Sequence, residues 1–170
     1  MKTEHLYRAA GWAAILGGAA RIAAAFPLGL GAAEAEALYA AIDILLLAGL
    51  VGIYLDRAHA LGFLGVASFA VALAALSLIG GPDADPWGFS TYREGASVLA
   101  LAMAGLSIAW VSRGQKPIWA PLLWFASLAA GGGLAQAPAL AGYAIPVAGA
   151  LFGAGFVAAG IALMRRGGDP

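Results

Sequence analysis

The chain has 170 residues, of which 62% are hydrophobic and only 11% charged, and its formal net charge is zero. Soluble domains carry about a quarter charged residues, so this composition indicates a membrane protein, and basic residues that cluster no further than a pair exclude a nucleic-acid interface. Because the sequence contains no cysteine, disulfide bonds, thiol chemistry and thiolate metal sites are excluded as well.

Apolar stretches of membrane-spanning length follow one another along nearly the whole chain. A helix needs about 20 apolar residues to cross a bilayer, and lipid offers no hydrogen-bond partner to an open backbone. The sequence therefore predicts an all-α polytopic membrane protein, a single domain (residues 1–170) that forms a bundle of six transmembrane helices. The predicted spans are residues 9–30, 35–55, 59–80, 92–112, 117–137 and 139–164.

The basic residues outside the spans predict the orientation of the bundle. Only Arg93 falls on one side, whereas the other side holds seven basic residues: Lys2, Arg8, Arg57, Arg113, Lys116, Arg165 and Arg166. Lysine and arginine are enriched in cytoplasmic loops, so we expect a multi-pass protein of a bacterial inner membrane with both termini in the cytoplasm. The longest predicted loop lies on the outer side and carries Asp83, Asp85 and Trp87.

Two opposite charges stand inside the first two spans. Arg21 precedes the predicted span end at Leu30 by nine residues, and Asp43 follows the span start at Ala35 by eight. At 1.5 Å per residue both would lie about 12–13 Å below the outer surface. An unpaired charge in the bilayer costs at least about 2.5–3.5 kcal/mol, so we expect an Arg21–Asp43 ion pair facing the bundle interior. Such a pair can be a structural clamp or a ligand or proton-coupling site.

Other features converge on the same outer layer of the bundle. Transporter sites are commonly built from interrupted helices around a few polar groups. The polar residues expected to take part in ligand binding or proton coupling, besides Arg21 and Asp43, are Tyr39, Glu94, Ser97, Gln136 and Tyr143. The residues expected to interrupt helices are Pro27, Gly131, Gly132, Gly133 and Pro146.

Gly149 and Gly153 form a GxxxG pattern in the sixth predicted span. Small residues at this spacing let two helices approach closely. The pattern predicts a helix contact either within the bundle or with a second copy in a homo-oligomer.

Motifs for metal, cofactor or nucleophile chemistry are missing. The two histidines, His5 and His59, lie outside the spans or at their ends, and the chain has no HExxH, GxSxG or phosphate-loop pattern. The sequence therefore predicts no metal site and no cofactor, and it identifies no catalytic residue.

Three functions remain open at this point. The first is binding or transport of a small molecule through an outward-facing cavity, with the lipid bilayer and a small or lipid-like ligand as partners. The second is an isomerase or cyclase acting on a lipid or terpenoid with Asp43 as general acid, although an adjacent arginine favours the ionised carboxylate, which is a poor proton donor. The third is a structural or assembly subunit that packs on a partner through its glycine faces.

Overall fold

The computed structural model describes residues 3–79 and 90–166, and this part of the chain is all-α, as predicted. Asp83, Asp85 and Trp87 of the predicted outer loop lie outside the described residues. The helices are α1 (Thr3–Ala23), α2 (Ala32–Ile79), α3 (Thr91–Ser112), α4 (Trp119–Gln136) and α5 (Ala141–Arg166).

Five helices are present in the described residues instead of the six expected. By length and composition, three of them, α2, α3 and α5, could cross a membrane. The observed bounds of α3, α4 and α5 fall within two residues of the predicted spans. The count differs because α2 continues through the predicted break at residues 56–59, where the sequence has no glycine or proline to end a helix.

The interruption of α2 lies at Gly62, the one residue of this helix with non-helical angles (φ 64°, ψ −167°). The rings of Tyr54 and Phe69 stack across it, with centroids 3.9 Å apart and planes 6° from parallel. Fifteen residues of straight helix would separate them by about 22 Å. The chain therefore turns back on itself at Gly62, and α2 consists of a first arm (residues 32–61) and a second arm (residues 63–79).

The first helix ends at Ala23, seven residues before the predicted span end. The amides of Ala25 and Phe26 make tight-turn hydrogen bonds to Ile22 and Ala23, and Pro27 follows. Proline has no N–H to donate and disfavours helical angles in the residue before it. The correction matters because it places Arg21 in the last turn of α1 rather than in the middle of a longer helix.

Glycines make the contact between α1 and α5 close. A Cβ atom added at Gly153 would overlap the carbonyl oxygen of Gly18, and one added at Gly160 would stand 2.7 Å from the carbonyl oxygen of Gly11. Gly149 and Gly153 are buried, so α1 of the same chain occupies the GxxxG face. Of the two alternatives that the GxxxG pattern left open, the contact within the bundle is therefore the one that this face makes.

The two arms of α2 pack on different helices. In the first arm, a Cβ atom added at Gly49 would stand 2.7 Å from Cβ of Ala14 in α1. Against the second arm, a Cβ atom added at Gly95 of α3 would stand 2.8 Å from Cγ1 of Ile79. α4 completes the bundle by packing on α3 and α5.

The bundle has two ends that can be named by their residues. The Arg57 end contains the Gly62 turn, residues 113–118 and the end of α5, because Arg57 Nη2 donates to the carbonyl oxygen of Lys116 at 2.7 Å and Arg166 pairs with Asp56 at 3.0 Å. The Pro27 end contains residues 24–30 and the start of α5, which line a common pocket.

Candidate functional site

A cavity of about 580 Å³ is lined by residues from all five helices. We call it the central cavity. Small-molecule sites are usually clefts of about 300–1,000 Å³ lined by apolar groups with a few polar ones, and this cavity has both properties. Its polar and aromatic-hydroxyl lining consists of Arg21, Tyr39, Asp43, Tyr92, Arg93, Ser97 and Ser127.

The Arg21 side chain occupies a gap left by a glycine. A Cβ atom added at Gly149 of α5 would stand 3.0 Å from Nη2 of Arg21, and a larger residue there would compete with the guanidinium for space. On the α2 side, the guanidinium carbon lies 5.7 Å from the ring centroid of Tyr39. Within about 6 Å a cation is attracted to the face of an aromatic ring, so Tyr39 and Gly149 together hold Arg21 at the cavity wall.

The expected ion pair between Arg21 and Asp43 is not formed. Three ion pairs occur among the described residues, and neither Arg21 nor Asp43 belongs to any of them. Arg21 lies near enough for a coulombic interaction with Asp43, yet the two side chains do not come within 4.0 Å. Both line the central cavity instead, because the guanidinium is turned toward Tyr39 and Gly149.

The packing of α1 on the first arm explains why the two charges share a cavity. Ala14 faces Gly49, and Ala10 faces Gly52, so the helices run antiparallel in a fixed register. Extending that register by two turns places Arg21 opposite residues 41–42, next to Asp43. The equal depth that the sequence suggested therefore comes from helix register, and not from equal distances to the helix ends.

Two serines and an exposed ion pair complete the polar lining and rim. Ser97 donates to the carbonyl oxygen of Arg93 at 3.0 Å, and Ser127 of α4 donates to the carbonyl oxygen of Ala148 in α5 at 2.8 Å. Arg93 is exposed at the rim and pairs with Glu94 at 3.2 Å. Both serine hydroxyls retain lone pairs that can accept a hydrogen bond from a ligand.

A second pocket, of about 690 Å³, lies at the Pro27 end. We call it the Pro27 pocket. Pro27, Tyr143 and Pro146 line it, and Tyr39 lines both this pocket and the central cavity. The hydroxyl of Tyr39 donates to the carbonyl oxygen of Ala24 at 3.4 Å. Tyr39 thus separates the central cavity from the Pro27 pocket, and the sequence did not indicate this position.

The other expected site residues are divided between the two spaces or excluded from both. Ser97, Gly131 and Gly132 line the central cavity with Arg21 and Asp43. Glu94, Gly133 and Gln136 line neither space. Gln136 is the last residue of α4 and is exposed.

The expected helix interruptions at the triple glycine and at Pro146 are wrong. α4 is helical through residues 131–133, and α5 continues through Pro146. Three glycines lower helix stability by about 1 kcal/mol each, but they retain their backbone hydrogen bonds. Pro146 removes only the bond to the carbonyl of Gly142, near the start of α5. Of the three glycines, only Gly131 approaches another helix, with an added Cβ atom 3.4 Å from that of Ala148.

At the Arg57 end, the structure contains a buried charge cluster that the sequence did not predict. Arg57 is only 2% exposed and pairs with Asp56, and its guanidinium carbon lies over the Trp110 ring, 4.1 Å from the ring centroid. Asp56 also pairs with Arg166. The sequence predicts that Arg57 lies in a cytoplasmic loop between the second and third spans, and only the adjacent opposite charges of "DR" inside a long apolar stretch indicate burial.

A column of rings fills the bundle between this cluster and the central cavity. Phe152 lines the cavity, and its ring centroid lies 5.2 Å from that of Phe156. Trp124 then lies 5.4 Å from Phe156 and 5.9 Å from Trp110, in both cases edge to face. The interior is therefore packed between the cavity and the Arg57 end.

Comparison of the chain with protein-family models, with curated proteins and with solved structures found no match. Within residues 3–79 and 90–166, no group of three or more histidine, aspartate or glutamate side chains could hold a metal ion. The chemistry of the site is therefore argued from its own residues.

Proposed function

We propose that the chain is a multi-pass inner-membrane protein that binds a small molecule in the central cavity. The observation that carries this proposal is that Arg21 and Asp43 line a largely apolar cavity of about 580 Å³. Ionisable groups inside membrane helices are costly and commonly mark ligand or ion pathways. Transport is the activity that a cavity open at one end of a membrane bundle would serve.

The proposal includes six membrane crossings with both termini in the cytoplasm. Each arm of α2 would cross once, since 17 residues already extend about 25 Å and 30 residues about 45 Å. Three crossings would follow from α3, α4 and α5, and one from α1. The excess of basic residues at the Arg57 end supports a cytoplasmic location for that end.

The direction in which the cavity opens supports binding from the outer side. The lining of the central cavity includes Arg93 and Ile145, which are exposed and lie toward the Pro27 end of the bundle. Toward the Arg57 end, the rings of Phe156, Trp124 and Trp110 are fully packed. A ligand would therefore enter from the outer half of the bilayer and stop above the ring column.

The test uses two neighbouring glycines that differ in one respect. Gly132 lines the central cavity, whereas Gly133 does not, and a Cβ atom added at either meets nothing within 4 Å. Gly132→Leu should fill part of the cavity, and Gly133→Leu is the matched control. Native mass spectrometry of protein purified in mild detergent should show a bound molecule with the native chain and with Gly133→Leu, and loss of that molecule with Gly132→Leu.

The identity of the retained molecule separates the remaining functions. A solute or lipid retained unchanged supports binding or transport. Conversion of a retained lipid or terpenoid during incubation would support the isomerase or cyclase function. Equal retention by both leucine variants would place binding outside the cavity and contradict the proposal.

A further inference from the structure

The two charges of the central cavity have opposite sign and are not joined to each other. Among the described residues, neither the guanidinium of Arg21 nor the carboxylate of Asp43 has a hydrogen-bond partner, and neither is in an ion pair. Arg21 has only the face of the Tyr39 ring. Neither charge thus has a counter-ion in direct contact, although the two interact coulombically and line the same space.

The remaining lining is apolar around the two charges. Leu46 and Leu76 are each 1% exposed and Leu99 is 7% exposed, and Phe152 closes the cavity toward the ring column. The other cation in the lining, Arg93, is at the rim and already pairs with Glu94. The cavity therefore offers one free positive group, one free negative group and an apolar wall.

We propose that the ligand is an amphipathic zwitterion: an anionic group that binds Arg21, an ammonium group that binds Asp43, and an apolar chain that lies along Leu76, Leu99 and Phe152. This assignment rests on the proposed function, because it names the ligand class of the same cavity. A carboxylate or phosphate suits the planar guanidinium donors of arginine, and an ammonium group donates the hydrogen bonds that an isolated carboxylate accepts.

A ligand with a single charge would satisfy only half of the site. An anion at Arg21 would bring a second negative charge close to Asp43, and a cation at Asp43 would be repelled by Arg21. In either case one protein charge would stay unpaired after water has left the cavity, and removing a charge from water without a partner is expensive. A zwitterion places an opposite charge on each group.

The test compares three probes with the same linear carbon chain: 2-aminooctanoic acid, octanoic acid and octylamine. They present a zwitterion, a carboxylate alone and an ammonium alone near neutral pH. Binding is measured by calorimetry on the full chain in nanodiscs of phosphatidylglycerol. We expect 2-aminooctanoic acid to bind at least about tenfold tighter than either single-charge probe, since one charge-assisted hydrogen bond contributes about that factor.

Variants assign each charge of the probe to its partner. Arg21→Met should reduce the preference for 2-aminooctanoic acid over octylamine to below about twofold, and Asp43→Asn should do the same for its preference over octanoic acid. Arg21→Lys keeps the charge and should retain most of the preference. If a variant does not fold, the ranking of the three probes on the native chain still decides the proposal.

Competition distinguishes the two sources of such a ligand. Phosphatidylethanolamine added to the nanodiscs should displace 2-aminooctanoic acid if the site accepts a zwitterionic lipid headgroup, and should have no effect if it accepts a free solute. Either result supports the zwitterion assignment, because both ligands present the same pair of charges.

Different results would contradict the zwitterion assignment and the proposed binding function. The three probes could bind with equal affinities that are all reduced by Gly132→Leu and not by Gly133→Leu. This result would support binding in the central cavity and overturn the zwitterion assignment. Tighter binding of octanoic acid or octylamine than of 2-aminooctanoic acid would also overturn it. Absence of binding by every probe, together with equal retention of co-purified molecules by both leucine variants, would overturn the proposed function itself.

Discussion

The guanidinium carbon of Arg57 lies over the ring of Trp110, 4.1 Å from the ring centroid. The same guanidinium pairs with Asp56 and donates to the carbonyl oxygen of Lys116 at 2.7 Å. One side chain thus connects the turn region of α2, the end of α3 and the segment before α4. A desolvated cation–π contact contributes about 2 kcal/mol or more, so we regard Arg57 as a main stabilising residue of this end.

Arg57→Met should therefore destabilise the protein strongly. Removing one partner of a buried pair costs about 3–5 kcal/mol in soluble proteins, because the other charge stays buried without a counter-ion. Here Asp56 would keep only the half-exposed Arg166. The measurement is thermal unfolding in detergent. Arg165→Met, at an exposed arginine, is the control and should change stability by less than about 0.5 kcal/mol. Equal effects of the two variants would contradict a structural role for Arg57.

A chemical cross-link can test the turn in α2. Because the chain contains no cysteine, the pair Tyr54→Cys and Phe69→Cys should be joined efficiently by a short bis-maleimide. The control pair, Ala33→Cys and Ala48→Cys, is exposed and has the same spacing within the first arm, where a continuous helix separates the residues by about 22 Å. The expected result is cross-linking of the first pair alone. If the first pair does not cross-link although both of its cysteines are reactive, the two arms of α2 do not lie side by side.

Hydrophobic length and composition were sufficient to predict the helical class and most helix positions. The α3 span was predicted as residues 92–112 and observed as Thr91–Ser112, since apolar length is a property of the local sequence. The sequence predicts the turn at residues 56–59, several residues before Gly62, because the charges of Asp56 and Arg57 indicate a loop. Both charges lie inside a helix because they have buried partners. Several of those partners belong to segments that are distant in the sequence.

The candidate site could be predicted only in part for a similar reason. The sequence showed that Arg21 and Asp43 are unusual, and helix register brings them to one cavity. It could not show that Gly149 opens a gap for the guanidinium, or that the Tyr39 ring competes with Asp43 for it. Those features depend on how α5 and α2 pack against α1, which pattern and spacing do not specify.

The close approach of α1 and α5 predicts a strong effect of one methyl group. In Gly153→Ala, the new Cβ atom would overlap the carbonyl oxygen of Gly18, so the helices would have to separate. Overpacking of this kind costs about 1–3 kcal/mol. Gly142→Ala, in the same helix with nothing within 4 Å of the added atom, should be neutral or slightly stabilising. The two variants are compared by thermal unfolding, and similar midpoints would contradict the observed contact.

Labelling in intact cells tests the proposed orientation. Glu34 lies at the Pro27 end and Ser112 at the Arg57 end, and both are exposed. Glu34→Cys should react with a membrane-impermeant maleimide from outside, whereas Ser112→Cys should react only after the membrane is permeabilised. The excess of basic residues at the Arg57 end is the reason for this expectation. The reverse pattern would invert the orientation and direct the cavity toward the cytoplasm.

The relation between Arg21 and Asp43 predicts weak coupling in the empty protein and strong coupling once a ligand is bound. Residues in direct contact show coupling energies of about 0.5–3 kcal/mol in double-mutant cycles. Because no ion pair joins these two in the structure, the cycle of Arg21→Met, Asp43→Asn and the double variant should give less than about 1 kcal/mol in thermal stability. The same cycle, measured on the binding of 2-aminooctanoic acid, should give a larger value, since each charge of the ligand is held by one of the two residues.

Tyr39→Leu is the control for the stability cycle. Combined with Arg21→Met, it should be non-additive by about 0.5–1 kcal/mol, the range of a partly exposed cation–π contact. A stability coupling above about 2 kcal/mol between Arg21 and Asp43 would mean that the two side chains pair directly. Arg21 would then stabilise the contact between α1 and α2 and would not be a ligand-binding residue.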